Sequence, residues 1–279
     1  MVKAKSIIKK AGKLPGKTVA VFAGVHGNEK VGILTLKKII KEIKITSGTV
    51  YFVFANPPAI QKNKRMVKKN LNRLFSRDIK GNAPENKRAN QLMDILDQCD
   101  ALLDIHSYNS KSGDQFAISE KRGYKVLRNM NFPIVGSGFS KLGSGTDGYM
   151  EKQKKIGICI ECGTTNKYKN FLKLAENSVY QFLTYFNCLD KKVEYSKIKQ
   201  KYVRVKRMLY KKTPQFKFTK EYKDFELLPT NKPFAVDGEI KYVASKNECI
   251  LFPRPDVKVG EEVCVIGGFV RMIKGDAII

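Results

Sequence analysis

Apolar and polar positions along the chain alternate between strand-like and helix-like stretches. Residues 18–25, TVAVFAGV, form a short apolar, β-branched run of the kind that makes a buried strand. The stretch that follows, NEKVGILTLKKIIKEI, spaces Val31, Leu34, Leu36, Ile39, Ile40 and Ile43 at a broadly helical period. A second strand is predicted at 49–55, TVYFVFA, closed by Asn56-Pro57-Pro58, which a strand or helix does not easily continue through. Residues 56–84 are polar, basic and poorly periodic, and so long an irregular segment inside a compact domain is usually functional or disordered.

The pattern resumes with a helix at 85–98 and strands at 101–105 and 115–119. A helix at 120–130, a Gly-rich loop at 136–148, a buried strand at 155–163 and an amphipathic helix at 170–187 follow. Strands alternating with helices predict an α/β fold with a mostly parallel sheet covered on both faces. From residue 202 onward the texture changes to short alternating strands separated by turn signals such as LPTNKP, VDGE, FPRPD and KVGEE, with no helix. The expected division is therefore an α/β domain over 1–195 and a smaller β-rich domain over 196–279.

Composition narrows the setting more than the chemistry. The 279 residues are 42% hydrophobic, enough for a sizeable core. No stretch approaches the roughly 18–20 uninterrupted apolar residues of a membrane span. The basic N-terminus, MVKAKSIIKKAGKLPGK, lacks the apolar core of about 7–15 residues that marks a secretory signal. Of the six cysteines only Cys159 and Cys162 lie close together, and on one strand they point to opposite faces, which suits neither a disulfide nor a redox turn. A reduced, cytoplasmic protein is expected. The formal charge of +27 comes mostly from Lys spread along the whole chain, without interleaved Arg and aromatic residues. Solvated faces account for it, so non-specific attraction to polyanions is expected, but no specific nucleic-acid partner and no membrane.

The chain has only two histidines, and both end apolar runs: His26 in VFAGVHGNE and His106 in ALLDIHS. In open α/β sheets functional residues gather at the carboxyl ends of strands. His26, Glu29, His106 and Glu161 all occupy such positions in the predicted elements. Two imidazoles and a carboxylate are the usual protein ligands of a catalytic zinc, and Asp104 is placed to support the His106 ring. A strand-end histidine serves equally well as a buried structural residue, and the pattern alone leaves both readings open.

Four motifs in order, HGNE, NPPAIQKNKRMVKKNLNRLF, LLDIHS and GICIECG, resemble the succinylglutamate desuccinylase/aspartoacylase family, a branch of the zinc carboxypeptidase-like hydrolases. The resemblance covers about residues 18–190, and the β-rich C-terminal region fits the family's layout. It implies a zinc-carboxypeptidase-like fold and one Zn2+ per chain held by His26, Glu29 and His106. It makes Glu161 the general base and Arg65 the cation that polarises the scissile carbonyl and holds its oxyanion. Asn72 and Arg73 match the residues that grip a substrate carboxylate, a task for which the planar guanidinium fork is suited. The expected activity is hydrolysis of the amide bond of an N-acyl amino acid or a similar small carboxylate-bearing amide.

The sequence departs from the family in its acyl pocket. Aspartoacylases proper carry a further arginine shortly before the catalytic glutamate, and GTDGYMEKQKKIGICIE has none; Tyr149, Lys152, Lys154 and Lys155 lie there without replacing it. A late C-terminal tyrosine of the family also has no match, and LFPRPDVKVGEE offers Arg254 instead. Two alternatives remain: a zinc carboxypeptidase acting on peptides, which shares the same catalytic set, and a basic, non-catalytic binding protein on the same fold. The unsubstituted ligand and base positions argue against the second.

Overall fold

The computed structural model describes residues 5–109, 113–143, 145–192, 196, 198–273 and 277–278. Strands β1 (Ile7–Ala11), β2 (Leu14–Ala23), β3 (Ser47–Phe54), β4 (Ala101–Tyr108), β5 (Gln115–Ser119), β6 (Ile134–Ser137) and β7 (Ile156–Thr164) alternate with helices. These helices are α1 (Lys30–Glu42), α2 (Pro57–Gln61), α3 (Pro84–Leu96), α4 (Tyr124–Leu127), α5 (Thr146–Lys152) and α6 (Leu172–Tyr185). The C-terminal strands are β8 (Lys201–Tyr210), β9 (Lys217–Phe218), β10 (Ala235–Asp237), β11 (Ile240–Tyr242), β12 (Glu248–Leu251), β13 (Glu262–Val270), β14 (Met272–Ile273) and β15 (Ala277–Ile278).

Ten of these strands form one sheet in the order β1-β3-β2-β4-β7-β5-β6-β8-β13-β12. Its centre, β3-β2-β4-β7, is parallel. The β5 strand then runs antiparallel to β7 before parallel pairing resumes through β6 and β8. Helices cover both faces, as the alternation predicts. On one side Val31, Leu36 and Ile39 of α1 and Val179 and Phe182 of α6 pack on Val21, Ile105 and Ile160. On the other, Leu92, Met93 and Leu96 of α3 and Tyr149 and Met150 of α5 pack on Phe22, Val53 and Leu102.

Several elements differ from expectation. The helix expected at 120–130 is a 3-10 turn at Lys121–Gly123 followed by the single turn of α4. The residues buried there, Tyr124, Val126, Leu127, Met130 and Phe132, include steps of two that a continuous helix cannot bury together. The Gly-rich loop of 136–148 contains the end of β6 and the start of α5. The irregular 56–84 stretch holds α2, whose first turn is capped by Asn56, and a 3-10 turn at Leu71–Arg73. Edge strand β1 is an addition; its Ile-Ile-Lys-Lys-Ala stretch is too short to show a period. No helix follows residue 202 among the described residues, and no helix among them is long and apolar enough to cross a membrane.

The sheet does not stop near residue 195. Strand β8 pairs in parallel with β6, from Ile134↔Lys201 to Ser137↔Arg204, and β13 and β12 extend it antiparallel. The strands β9–β11 form a separate small sheet. All six cysteines are free and buried. Cys159 and Cys162, both on β7, face different core clusters, and burial pushes the Cys99, Cys249 and Cys264 thiols up to about 12.

Candidate metal centre and its cleft

Two glycines allow the site to assemble. At Gly27 a Cβ would lie 2.0 Å from the backbone carbonyl carbon of Ala59, so the His26–Glu29 turn packs directly on the backbone of α2. At Gly32 a Cβ would meet the carbonyl oxygen of Ile105 at 2.9 Å, and its absence lets α1 lie against β4. That approach carries Glu29 to His106. Strands β4 and β7 are in parallel register with Asp104 opposite Cys159 and His106 opposite Glu161, which places all four side chains on one face of the sheet.

The described residues hold one group able to ligate a metal, His26, Glu29 and His106, with donor atoms within 4.8 Å of one another and all three side chains buried. His26 Nδ1 lies 2.7 Å from Glu29 Oε1, and His106 Nδ1 lies 2.9 Å from Glu29 Oε2. The outer ring nitrogens face acceptors: His26 Nε2 lies 3.0 Å from Asn70 Oδ1, and His106 Nε2 lies 2.9 Å from Asp104 Oδ2. The Asn70 oxygen also accepts the Asn72 N–H, which fixes the orientation of that amide. With Nε2–H donated outward on both rings, each Nδ1 presents a lone pair to a carboxylate, an arrangement that a shared cation makes favourable. The donor set of two imidazole nitrogens and one carboxylate suits zinc, so the residues fit the ion. Without one, burial pulls the His26 pKa down. Burial opposes charge on His106 too, but the Asp104 and Glu29 carboxylates hold its pKa well above the ordinary value.

Glu161 sits beside this group, 9% exposed, with Oε2 unpartnered. Burial, reinforced by the nearby Glu29 and Asp104 carboxylates and opposed by His106 and Arg65, pushes its carboxyl up to about 8. Arg65 approaches the group from the 56–84 segment, with an NH1 group 3.5 Å from Glu29 Oε1. Its loop is anchored just downstream, where Glu85 Oε1 accepts the N–H groups of Val67 and Lys68 at 2.9 and 3.0 Å.

All seven residues singled out in the sequence (His26, Glu29, Arg65, Asn72, Arg73, His106 and Glu161) line one cleft with about 1280 Å³ of empty space, its mouth included. Asn72 Oδ1 accepts the Thr146 N–H at 3.2 Å. Arg73 reaches Glu262 on β13 at 3.3 and 3.4 Å. The far wall is apolar, formed by Ile118, Phe139, Leu142, Met208, Phe252 and Val265. Three supporting residues escape the sequence reading. Asn70 and Glu85 lie inside or beside the segment that shows no period, and Thr146 opens a helix the pattern misses. Thr146 Oγ1 donates to Asp104 Oδ2 at 2.7 Å, so it braces the carboxylate behind His106 while its backbone N–H holds Asn72. The one local signal is the repeated Asn of NLN, where the Asn70 side chain caps the following turn.

Residues 15–185 match the family model for the succinylglutamate desuccinylase/aspartoacylase catalytic domain, and residues 201–266 match its AstE/AspA barrel-sandwich hybrid domain. A probable aspartoacylase from Nostoc sp. is 25% identical over 187 residues, 60% of this chain and 63% of that protein. A succinylglutamate desuccinylase from Pseudomonas aeruginosa is 38% identical over 84 residues, 28% of this chain and 25% of that protein. The chain thus matches less than two thirds of the length of either relative. The structure of succinylglutamate desuccinylase from Vibrio parahaemolyticus superposes with a TM-score of 0.80 at 19% identity, covering 98% of this chain and 89% of that one, and so shares the fold. With the catalytic-domain match spanning more than half of its residues, the chain belongs to the succinylglutamate desuccinylase/aspartoacylase family.

Proposed function

We propose that the protein is a zinc-dependent amidohydrolase that cleaves the amide bond of an N-acyl amino acid or a similar small carboxylate-bearing amide. The observation that carries this reading is the convergence of the buried His26–Glu29–His106 group and the unpartnered Glu161 carboxylate on one cleft. A zinc ion held by His26, Glu29 and His106 supplies Lewis-acid polarisation of the carbonyl and water of lowered pKa. Glu161 takes a proton from the attacking water and delivers it to the leaving amine. Arg65 faces the charge that develops on the carbonyl oxygen. Asn72, its amide oxygen already engaged by Thr146, offers its NH2 group to the substrate carboxylate beside Arg73. The β-rich unit, which we place at 196–279, contributes Met208, Phe252 and Val265 to the cleft and limits substrate size.

Elemental analysis of the untagged protein, followed by a panel of N-acyl amino acids, tests the reading. About one zinc per chain and release of a free amino acid are expected. Failure to retain any divalent ion after zinc is supplied and the excess removed would overturn it. Cleavage of a peptide with a free C-terminus and of no N-acyl amino acid would reassign the protein to the carboxypeptidases.

A further inference from the structure

Two arginines from distant parts of the chain meet on one internal carboxylate at the cleft wall. Arg73 NH2 lies 3.3 and 3.4 Å from the two Glu262 carboxylate oxygens. Arg254 NH2 lies 3.5 Å from Glu262 Oε2 and also donates to the Glu262 backbone carbonyl at 3.2 Å. Arg254 is fixed from behind by its own backbone N–H, which donates to the Val263 carbonyl at 2.7 Å. All three residues line the same cleft as the metal-binding group.

This is the arrangement in which guanidinium groups hold a ligand carboxylate, with a residue of the chain in the ligand's place. The contacts are loose, since charge-assisted pairs close to about 2.7–2.9 Å when they are tight. They are also wet: the Arg73 and Arg254 side chains are 42% and 44% exposed and that of Glu262 is 25% exposed. Half-exposed ion pairs contribute little to stability, so an incoming carboxylate exchanges with Glu262 at small cost. The trio carries a net charge of +1 with Glu262 in place, so the mouth still attracts an anion before the exchange.

We propose that Arg254 completes, with Arg73, a clamp for the substrate carboxylate, and that Glu262 is an internal carboxylate which the substrate displaces. The inference rests on the deacylase reading for the role of Arg73 and deepens it. It defines the substrate as a small anion whose carboxylate is shared between one arginine of the α/β part and one of the loop between β12 and β13. It also gives a function to Arg254, the residue found where the family's tyrosine has no counterpart.

The test is calorimetric binding to the zinc-loaded protein carrying Glu161→Gln, which prevents turnover. The probes are N-acetyl-L-aspartate, N-acetyl-L-leucine and N-acetyl-L-lysine, each beside its α-carboxamide analogue. In at least one pair the acid binds more tightly than the amide. Adding Arg254→Ala or the milder Arg254→Lys cuts that preference by about tenfold or more, because the fork is lost. Adding Glu262→Gln strengthens binding of the acid by about three- to tenfold and leaves the amide unmoved, because the competitor is gone. Weaker acid binding in Glu262→Gln would make Glu262 an orienting residue and overturn the displacement. A preference that survives both Arg254 substitutions, or no preference in any pair, would overturn the clamp. The deacylase reading fails separately, when the expected binding pattern appears but the protein with Glu161 intact hydrolyses none of the acids.

Discussion

Glu161 and Asp104 are both buried carboxylates on one sheet face, yet their surroundings separate their tasks. Each has one buried oxygen without a partner, Glu161 Oε2 and Asp104 Oδ1, but Glu161 lines the cleft, whereas Asp104 lies behind it with Oδ2 shared by His106 and Thr146. Glu161→Gln is therefore expected to keep the metal and lose about 10²–10⁴ in kcat, measured by metal content and steady-state kinetics on the same preparation. Thr146→Val removes a single oxygen that touches none of the proposed ligand atoms. It is expected to weaken metal affinity about tenfold, read by competition with a chelator, because supports behind a ligating imidazole typically matter by 10–100-fold. The sequence makes Glu161 visible because it ends the apolar run GICIE within the motif GICIECG. It hides Thr146, whose importance comes from contacts 42 positions away at Asp104 and 74 away at Asn72.

The parts of the fold legible in the sequence are those whose signal is local and repeated. The strands of the central sheet and helices α1, α3 and α6 are long enough to show a hydrophobic period, and each is found close to its expected span. Helix α5 has Tyr149 and Met150 as its large buried side chains in seven residues, too few to define a period, though it supports both His106 and Asn72 through Thr146. The edge of the sheet shows a further element-scale device. Glu248, at the start of β12, is 1% exposed and accepts from both arms of Arg207 on β8 at 2.7 and 2.9 Å, across the intervening β13. Burial alone would raise its carboxyl pKa, but Arg207, the Ser245 N–H and Lys206 hold it below the ordinary value of 4.5. Its contribution is thus present above that value and lost as pH falls through the depressed one. Glu248→Gln is expected to cost about 1–2 kcal/mol near neutral pH, since Arg207 is half-exposed, and progressively less in acid. Urea titrations at pH 7 and pH 3 would show a gap between the two proteins that closes at the lower pH.

At the scale of the molecule, the change of texture near residue 195 is a change of pattern and not a break in the sheet. Composition and turn signals mark where helices stop, but they carry no information on which strand β8 will pair with. That pairing is decided by the free edge of β6, residues whose own sequence neighbours lie far away. A protein ending at residue 195 would expose that edge and open the apolar wall of the cleft, where Met208, Phe252 and Val265 now sit. Such a truncation is expected to aggregate, with ultracentrifugation of the soluble fraction as the check. A well-behaved monomer that still binds zinc would show that the first part folds alone.

The six thiols are placed so that the folded chain hides all of them, four on strands and Cys99 and Cys188 just after helices α3 and α6, in different core clusters. Because the thiolate is the reactive form, burial that pushes Cys99, Cys249 and Cys264 up to about 12 makes them unreactive as well as inaccessible. The chain therefore carries its own clock for opening. In a neutral thiol-labelling reagent, each cysteine reacts only when its neighbourhood unfolds, and mass spectrometry of the peptides gives that local rate without any introduced probe. If the continuous sheet opens as one unit, Cys99 beside α3 and Cys188 beside α6 will be labelled in step with Cys249 and Cys264 beyond residue 195. If the two parts open separately, the C-terminal pair will run ahead or behind.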